Sequence, residues 1–205
     1  MANIAQDTSD FAELRGMGYI YVDKTEPLHR LITARDIGGK LFFVSRPRRF
    51  GKSLMISTLK CIFQGRRDLF AGLAIDTLDY DWVDYPILHF SFAGIKATSL
   101  EAFVAEFRVR VKKVLTEAQC AWDDAVSPGA NFNQAITDLA KQRGKPVVIL
   151  IDEYDAPVGH TLADIPLATA IRGELSDFYI QIKECASDVR FLMMTGVTRF
   201  TQLSV

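Results

Sequence analysis

The sequence predicts a three-layer α/β domain built on a mostly parallel sheet, and three features of its 205 residues predict it. Short apolar runs alternate with longer segments of helical periodicity. A basic, glycine-containing string stands where the first run gives way to the first long helical pattern. A pair of acidic residues closes a later run that is apolar throughout.

The first strand is Leu41, Phe42, Phe43 and Val44 within 40–45, strand-prone and apolar behind Gly38-Gly39. From Gly51 onward Leu54, Met55, Thr58, Leu59, Ile62 and Phe63 recur at helical spacing until Gly65. Residues 86–92 read as a second strand. Residues 100–118 set Phe103, Phe107, Val111 and Leu115 on one helical face, opened by Thr98-Ser99 with Glu101 behind. A further helix is expected over 133–142, ending at Gly144, with 127–131 as the join before it. Val147, Val148, Ile149, Leu150 and Ile151 then follow without a polar break, as in a strand covered on both faces. Residues 167–186 read as a helix and 189–195 as a fourth strand. Periodicity does not place residues 4–25. No repeat or linker composition divides the chain, so 1–39 is expected to be an extension packing near the ligand site and 40–205 the core. The chain stops at Val205, just past the fourth strand, so a core short of a last strand and a helical lid is expected.

Composition narrows the classes. Hydrophobic residues at 49% and charged residues at 24% exclude disordered, collagen-like and membrane chains. A net charge of -1 gives no global field for nucleic acid, so such binding is expected only indirectly. Cys61, Cys120 and Cys185 are widely spaced and read as reduced thiols. No signal peptide or membrane-spanning run is visible, so a cytoplasmic protein is expected. His29, His89 and His160 lie far apart and read as ordinary polar residues.

Arg46-Pro47-Arg48-Arg49-Phe50-Gly51-Lys52-Ser53 joins the first strand to its helix, where Leu54 follows. The string fits the phosphate-loop pattern Gly-x-x-x-x-Gly-Lys-Ser/Thr, except that Arg46 stands in place of the first glycine. The physics survives that change. Main-chain N–H groups at a helix N-terminus attract an anion, and Gly51 lets the chain approach phosphates. Lys52 sets a charge against the terminal phosphates, and Ser53 offers an oxygen to Mg2+. A bare Gly-Lys-Ser also occurs as a plain helix start. Three arginines also suit a solvated basic turn or a nucleic-acid patch, and which of them faces phosphate stays open.

The apolar run 147–151 ends in Asp152-Glu153-Tyr154-Asp155. Ligands of open α/β sheets bind at the carboxyl ends of strands. Asp152 is expected to hold Mg2+ and Glu153 to polarise the attacking water, the plain alternative being a charged turn. The two motifs together, in order and each at a strand end, favour a P-loop domain that takes ATP and Mg2+. The strand candidate between them and the glutamate after the aspartate favour the ASCE branch of P-loop ATPases. No Asn-Lys-x-Asp guanine signature occurs, and a small-molecule kinase would not need Glu153. After the fourth strand, Thr195 or Thr198 is a candidate sensor of the terminal phosphate and Arg199 a candidate counter-charge, beside the plain reading of a polar turn.

Four strings resemble the AAA-ATPase-like family of mostly bacterial proteins: Tyr21-Val22-Asp23-Lys24-Thr25, Arg46 through Leu54, Leu150-Ile151-Asp152-Glu153-Tyr154-Asp155 and Thr195-Gly196-Val197-Thr198-Arg199-Phe200. The resemblance spans nearly the whole chain and makes the missing first glycine a family trait. It implies an AAA-like P-loop fold and an ATPase acting as a switch or motor for an attached or partner effector. In many relatives a module similar to PD-(D/E)XK nucleases follows. Related ATPases form homo-oligomers in which a neighbouring copy supplies an arginine, although no residue here identifies itself as that group. Asp23-Lys24-Thr25 either helps to enclose the nucleotide, with Tyr19 or Tyr21 stacking on the base, or caps the helix toward Leu31. A non-hydrolysing nucleotide-binding module and a nucleotide kinase are the competing functions.

Overall fold

The computed structural model describes residues 8–34 and 40–198. In chain order these form α1 (Phe11–Gly16), α2 (Thr25–Thr33), β1 (Leu41–Ser45), α3 (Lys52–Phe63), β2 (Ile87–Ser91), α4 (Leu100–Glu117) and α5 (Pro128–Arg143). β3 (Val147–Asp152), the single turn α6 (Ala156–Gly159), α7 (Ile165–Glu184) and β4 (Val189–Gly196) follow. The strands make one sheet in the order β1-β4-β3-β2, parallel throughout.

Strand alternation sorts the core into two halves. Val147, Ile149 and Ile151 join Leu88, Phe90, Leu192 and Met194 under α4, α5 and α7. Val148, Leu150, Phe191 and Met193 face the other way, toward α1, α2 and α3. All six residues of β3 are buried, which is why its sequence has no polar alternation. Each of its five apolar side chains, Val147 to Ile151, contributes about 1.5–3 kcal/mol by leaving water. The layering is that of a P-loop NTPase sandwich.

The sheet order sharpens one expectation. In sequence β2 lies between the phosphate loop and the acidic pair, but in space it is β4 that separates β1 from β3, and β2 sits at the far edge. Parallel strands are joined by long crossovers, so neighbours in sequence need not be neighbours in the sheet. β1 occupies the other edge, and on the α7 side of the sheet Leu41 and Phe43 each stay 44% exposed. Phe43 meets the Tyr154 ring edge-on at 5.0 Å.

The segment 127–131 is not a join. Ser127 accepts a hydrogen bond from Ala130 N through its hydroxyl, Pro128 occupies the first turn, and α5 therefore starts five residues earlier than expected. Ser-Pro is a cap followed by a residue whose missing N–H costs nothing in the first turn. The helix ends at Gly144, as its sequence suggested.

The N-terminal residues that periodicity left unplaced pack on α3. Phe11 N donates to Ser57 Oγ at 2.9 Å, and the Phe11 ring is buried between Tyr21 and Phe70. Asp23 Oδ1 accepts from Thr25 N and Thr25 Oγ1, and Oδ2 accepts from Ala74 N at 2.7 Å. Thr25 Oγ1 in turn accepts from Ile75 N at 3.0 Å. The Asp23-Lys24-Thr25 triplet thus starts α2 and pins the 3-10 turn Ala74–Thr77 against it. Among the described residues, no helix is long and apolar enough to cross a membrane.

Candidate nucleotide site

β1 hands the chain to a tight loop at Arg46, and α3 takes it up at Lys52. Gly51 lies in the left-handed region at φ 72° and caps α3 without any side-chain bond. A Cβ there would meet nothing within 4 Å, so the backbone angle and not crowding demands glycine. The first bond of α3 runs from Met55 N to Gly51 O, so the N–H groups of Lys52, Ser53 and Leu54 have no intrahelical partner. Those donors, with the positive end of a 12-residue helix behind them, are an arrangement that suits an anion.

Lys52 is only 8% exposed, and its Nζ donates to Arg46 O and Pro47 O, each at 2.9 Å. The buried ammonium is held by carbonyls of its own loop and faces no carboxylate among the described residues. Ser53 is partly buried with its hydroxyl unpartnered there. Arg46, Pro47, Arg48, Arg49 and Phe50 are exposed, and none of the three guanidinium groups forms an ion pair among the described residues. Arg49 is also left-handed, at φ 66°.

The acidic side lies at the end of β3. Asp152 is 6% exposed, and its Oδ1 accepts from Glu153 N at 3.0 Å and from the Thr195 hydroxyl. Glu153 adopts φ 53°, a left-handed conformation in which Cβ crowds the backbone, and its partly exposed carboxylate has no partner among the described residues. Among the described residues, two of the four non-glycine residues with positive φ, Arg49 and Glu153, therefore sit in the two candidate motifs.

β4 bridges the two sides. Val44 pairs with Thr195 and Ser45 with Gly196, while Met194 pairs with Ile151. With one strand between them, the ends of β1 and β3 lie about 10 Å apart. Thr195, wholly buried, points its hydroxyl at Asp152. Thr198 does not: its N and Oγ1 both donate to Asp155 Oδ2 at 2.6 Å, so the alternative of Thr198 as a free phosphate sensor gives way to a structural role. Arg199 lies outside the described residues. Sequence reading gave Asp155 no role, and its partners Val197 and Thr198 lie more than forty residues away with no local pattern to announce them.

The donor set fits a nucleotide with Mg2+: unpaired amides and a lysine for phosphate, with the Ser53 hydroxyl and an Asp152 carboxylate for a hard cation. No group of three or more His, Cys, Asp or Glu residues gathers among the described residues, at this site or any other, so a cation here would need phosphate oxygens as further ligands. Beside the loop opens a cavity of about 500 Å³, lined by Tyr21, Leu28, Val44, Phe50, Leu54 and Met55 among others. Tyr19 does not line it. A larger cavity of about 990 Å³ lies at the opposite end of the sheet, against His29, Tyr80 and Arg190. It touches neither motif.

The sequence profile of the family described as "Predicted AAA-ATPase" matches residues 6–205. The chain is 37% identical over 200 residues to a protein of Azotobacter chroococcum mcd 1 described as "Uncharacterized protein in vnfD 5'region". That match takes in 95% of this chain but only 37% of the relative's length. No solved structure matches the chain.

Proposed function

The chain belongs to the AAA-ATPase-like family, and from that premise we propose a Mg2+-dependent ATP-binding and ATP-hydrolysing domain whose nucleotide state drives an effector. The observation that carries this reading is the opposition, across β4, of the loop with unpaired amides and buried Lys52 to the Asp152–Glu153 turn. Phosphates would take up the N–H groups of 52–54 and exchange with the carbonyls that now hold Lys52. Ser53 and Asp152 would hold Mg2+, which would supply neutralisation of the phosphate charge.

Glu153 is the only carboxylate at this edge without a partner among the described residues, which suits it to accept a proton from water. Its left-handed backbone is a local cost of the kind that clusters at functional sites. The apolar cavity next to the loop suits a base and ribose, with Tyr21 in its wall. An effector of nuclease type, on the same polypeptide or a partner, is the output that the family resemblance favours.

The test is direct. Lys52→Ala should abolish binding of a fluorescent ATP analogue, whereas Glu153→Gln should bind it normally and lose roughly 10²- to 10⁴-fold in hydrolysis rate. ATP turnover undiminished in both variants sinks the assignment. Tight binding with no turnover in the unmodified protein would convert it to a non-hydrolysing regulatory module.

A further inference from the structure

The Asp155 carboxylate is 5% exposed and has no cationic partner among the described residues. It stands at the N-cap of α6 yet makes no capping bond there. Instead Oδ2 receives three donors from the turn after β4: Val197 N at 2.9 Å, and Thr198 N and Thr198 Oγ1 at 2.6 Å. Tyr154 OH adds a bond to Thr198 O at 2.6 Å. From the opposite side Ser45 Oγ donates to Val197 O at 2.8 Å, and Arg46 N donates to Gly196 O at 3.1 Å.

The 196–198 turn is therefore bonded on one flank to the first residue of the phosphate loop and on the other to the residues just past Asp152 and Glu153. Its fit is close. A Cβ on Gly196 would lie 2.3 Å from Tyr154 Cε1 and 2.6 Å from Asp155 Oδ1. Gly196 has no left-handed backbone to excuse it, so contact with these two side chains is what excludes a larger residue.

Resting on the ATPase reading above, we infer that Asp155 is a positioning residue: it locks the β4 turn between the phosphate loop and the acidic turn, and so fixes the Thr195 hydroxyl on Asp152 in the register that hydrolysis needs. Asp155 touches neither the phosphate loop nor the apolar cavity that would hold the base, so it sets turnover and leaves nucleotide affinity alone. A buried carboxylate retained only to stabilise the turn would act on folding, with affinity and turnover following the folded fraction together.

The experiment compares Asp155→Asn, Thr198→Val and Thr198→Ser with the unmodified chain and with Lys52→Ala, measuring ATP hydrolysis, affinity for a fluorescent ATP analogue and Tm. Asp155→Asn and Thr198→Val should each lower kcat roughly tenfold or more while the analogue's Kd moves by less than about twofold, since small misplacements of reacting groups are costly in rate. Thr198→Ser keeps the hydroxyl and should restore kcat. Thr198→Val covers the case in which Asp155→Asn fails to fold. Unchanged kcat in the two disrupting variants overturns the inference, as does a parallel fall of kcat, affinity and Tm. Hydrolysis in the unmodified chain no faster than in Lys52→Ala overturns the ATPase reading and the inference with it. A Lys52-dependent rate that survives Asp155→Asn and Thr198→Val overturns the inference alone.

Discussion

The hydroxyl of Thr195, on the central strand β4, donates to Oδ1 of Asp152 at the end of β3. Both residues are buried, and the same oxygen accepts from Glu153 N. Oδ1 is thus occupied, while Oδ2 has no partner among the described residues, so under the proposed function Oδ2 is the oxygen that would face the cation. On that reading the threonine would orient the carboxylate, as hydrogen bonds behind a metal ligand do.

Thr195→Val keeps the shape and removes the donor. The carboxylate then rotates more freely, and the Mg2+ concentration for half-maximal ATP turnover should rise roughly tenfold, in line with the loss of a supporting bond behind a metal ligand. Folding should weaken by about 1–3 kcal/mol, since a buried carboxylate oxygen loses one of its two donors. An unaltered Mg2+ titration would show that Thr195 does not orient Asp152.

Glu153 holds a left-handed backbone that asparagine adopts more readily. Glu153→Asn should leave stability unchanged or raise it by up to about 1 kcal/mol while removing ATP turnover, because the strain belongs to the site and not to the fold. Denaturant unfolding together with a phosphate-release assay reads both effects. A clear loss of stability would mean that the glutamate side chain supports the turn structurally.

His89, on β2, supplies a pH dependence. Burial lowers its pKa from the ordinary value of 6.5, the Lys60 cation lowers it further, and the Asp152 carboxylate partly offsets both. The unfolded chain therefore binds a proton at a higher pH than the folded one, so stability is complete above about pH 6.5 and falls as the pH drops toward the folded-state pKa. Below that pKa the loss levels off. Urea midpoints across this window should slope for the natural chain and flatten for His89→Gln, and equal slopes would exclude His89 as the group responsible.

Much of the fold was legible in the order of residues. A strand buried on both faces must be apolar at every position, so the run from Val147 to Ile151 could hardly be anything else, and α3 and α4 announce the one face that each buries. The same reading missed the start of α5, where Ser127-Pro128 looked like a break and is a cap. It also left the N-terminal residues unplaced, because Phe11, Asp23 and Thr25 find their partners forty-six to fifty-one residues away.

By itself the sequence determined the two ends of the candidate site: a glycine with Lys52 and Ser53 at a helix start, and Asp152 with Glu153 at a strand end. Those are local matters of backbone freedom, charge and solvation within a single turn. Only the tertiary structure decided that β4 lies between them, that Thr195 and not Thr198 reaches Asp152, and that Asp155 holds the turn joining the two sides. Crossover connections leave the spatial order of parallel strands undetermined by their order in the chain, so which loops converge at the edge of the sheet is settled only when the sheet assembles.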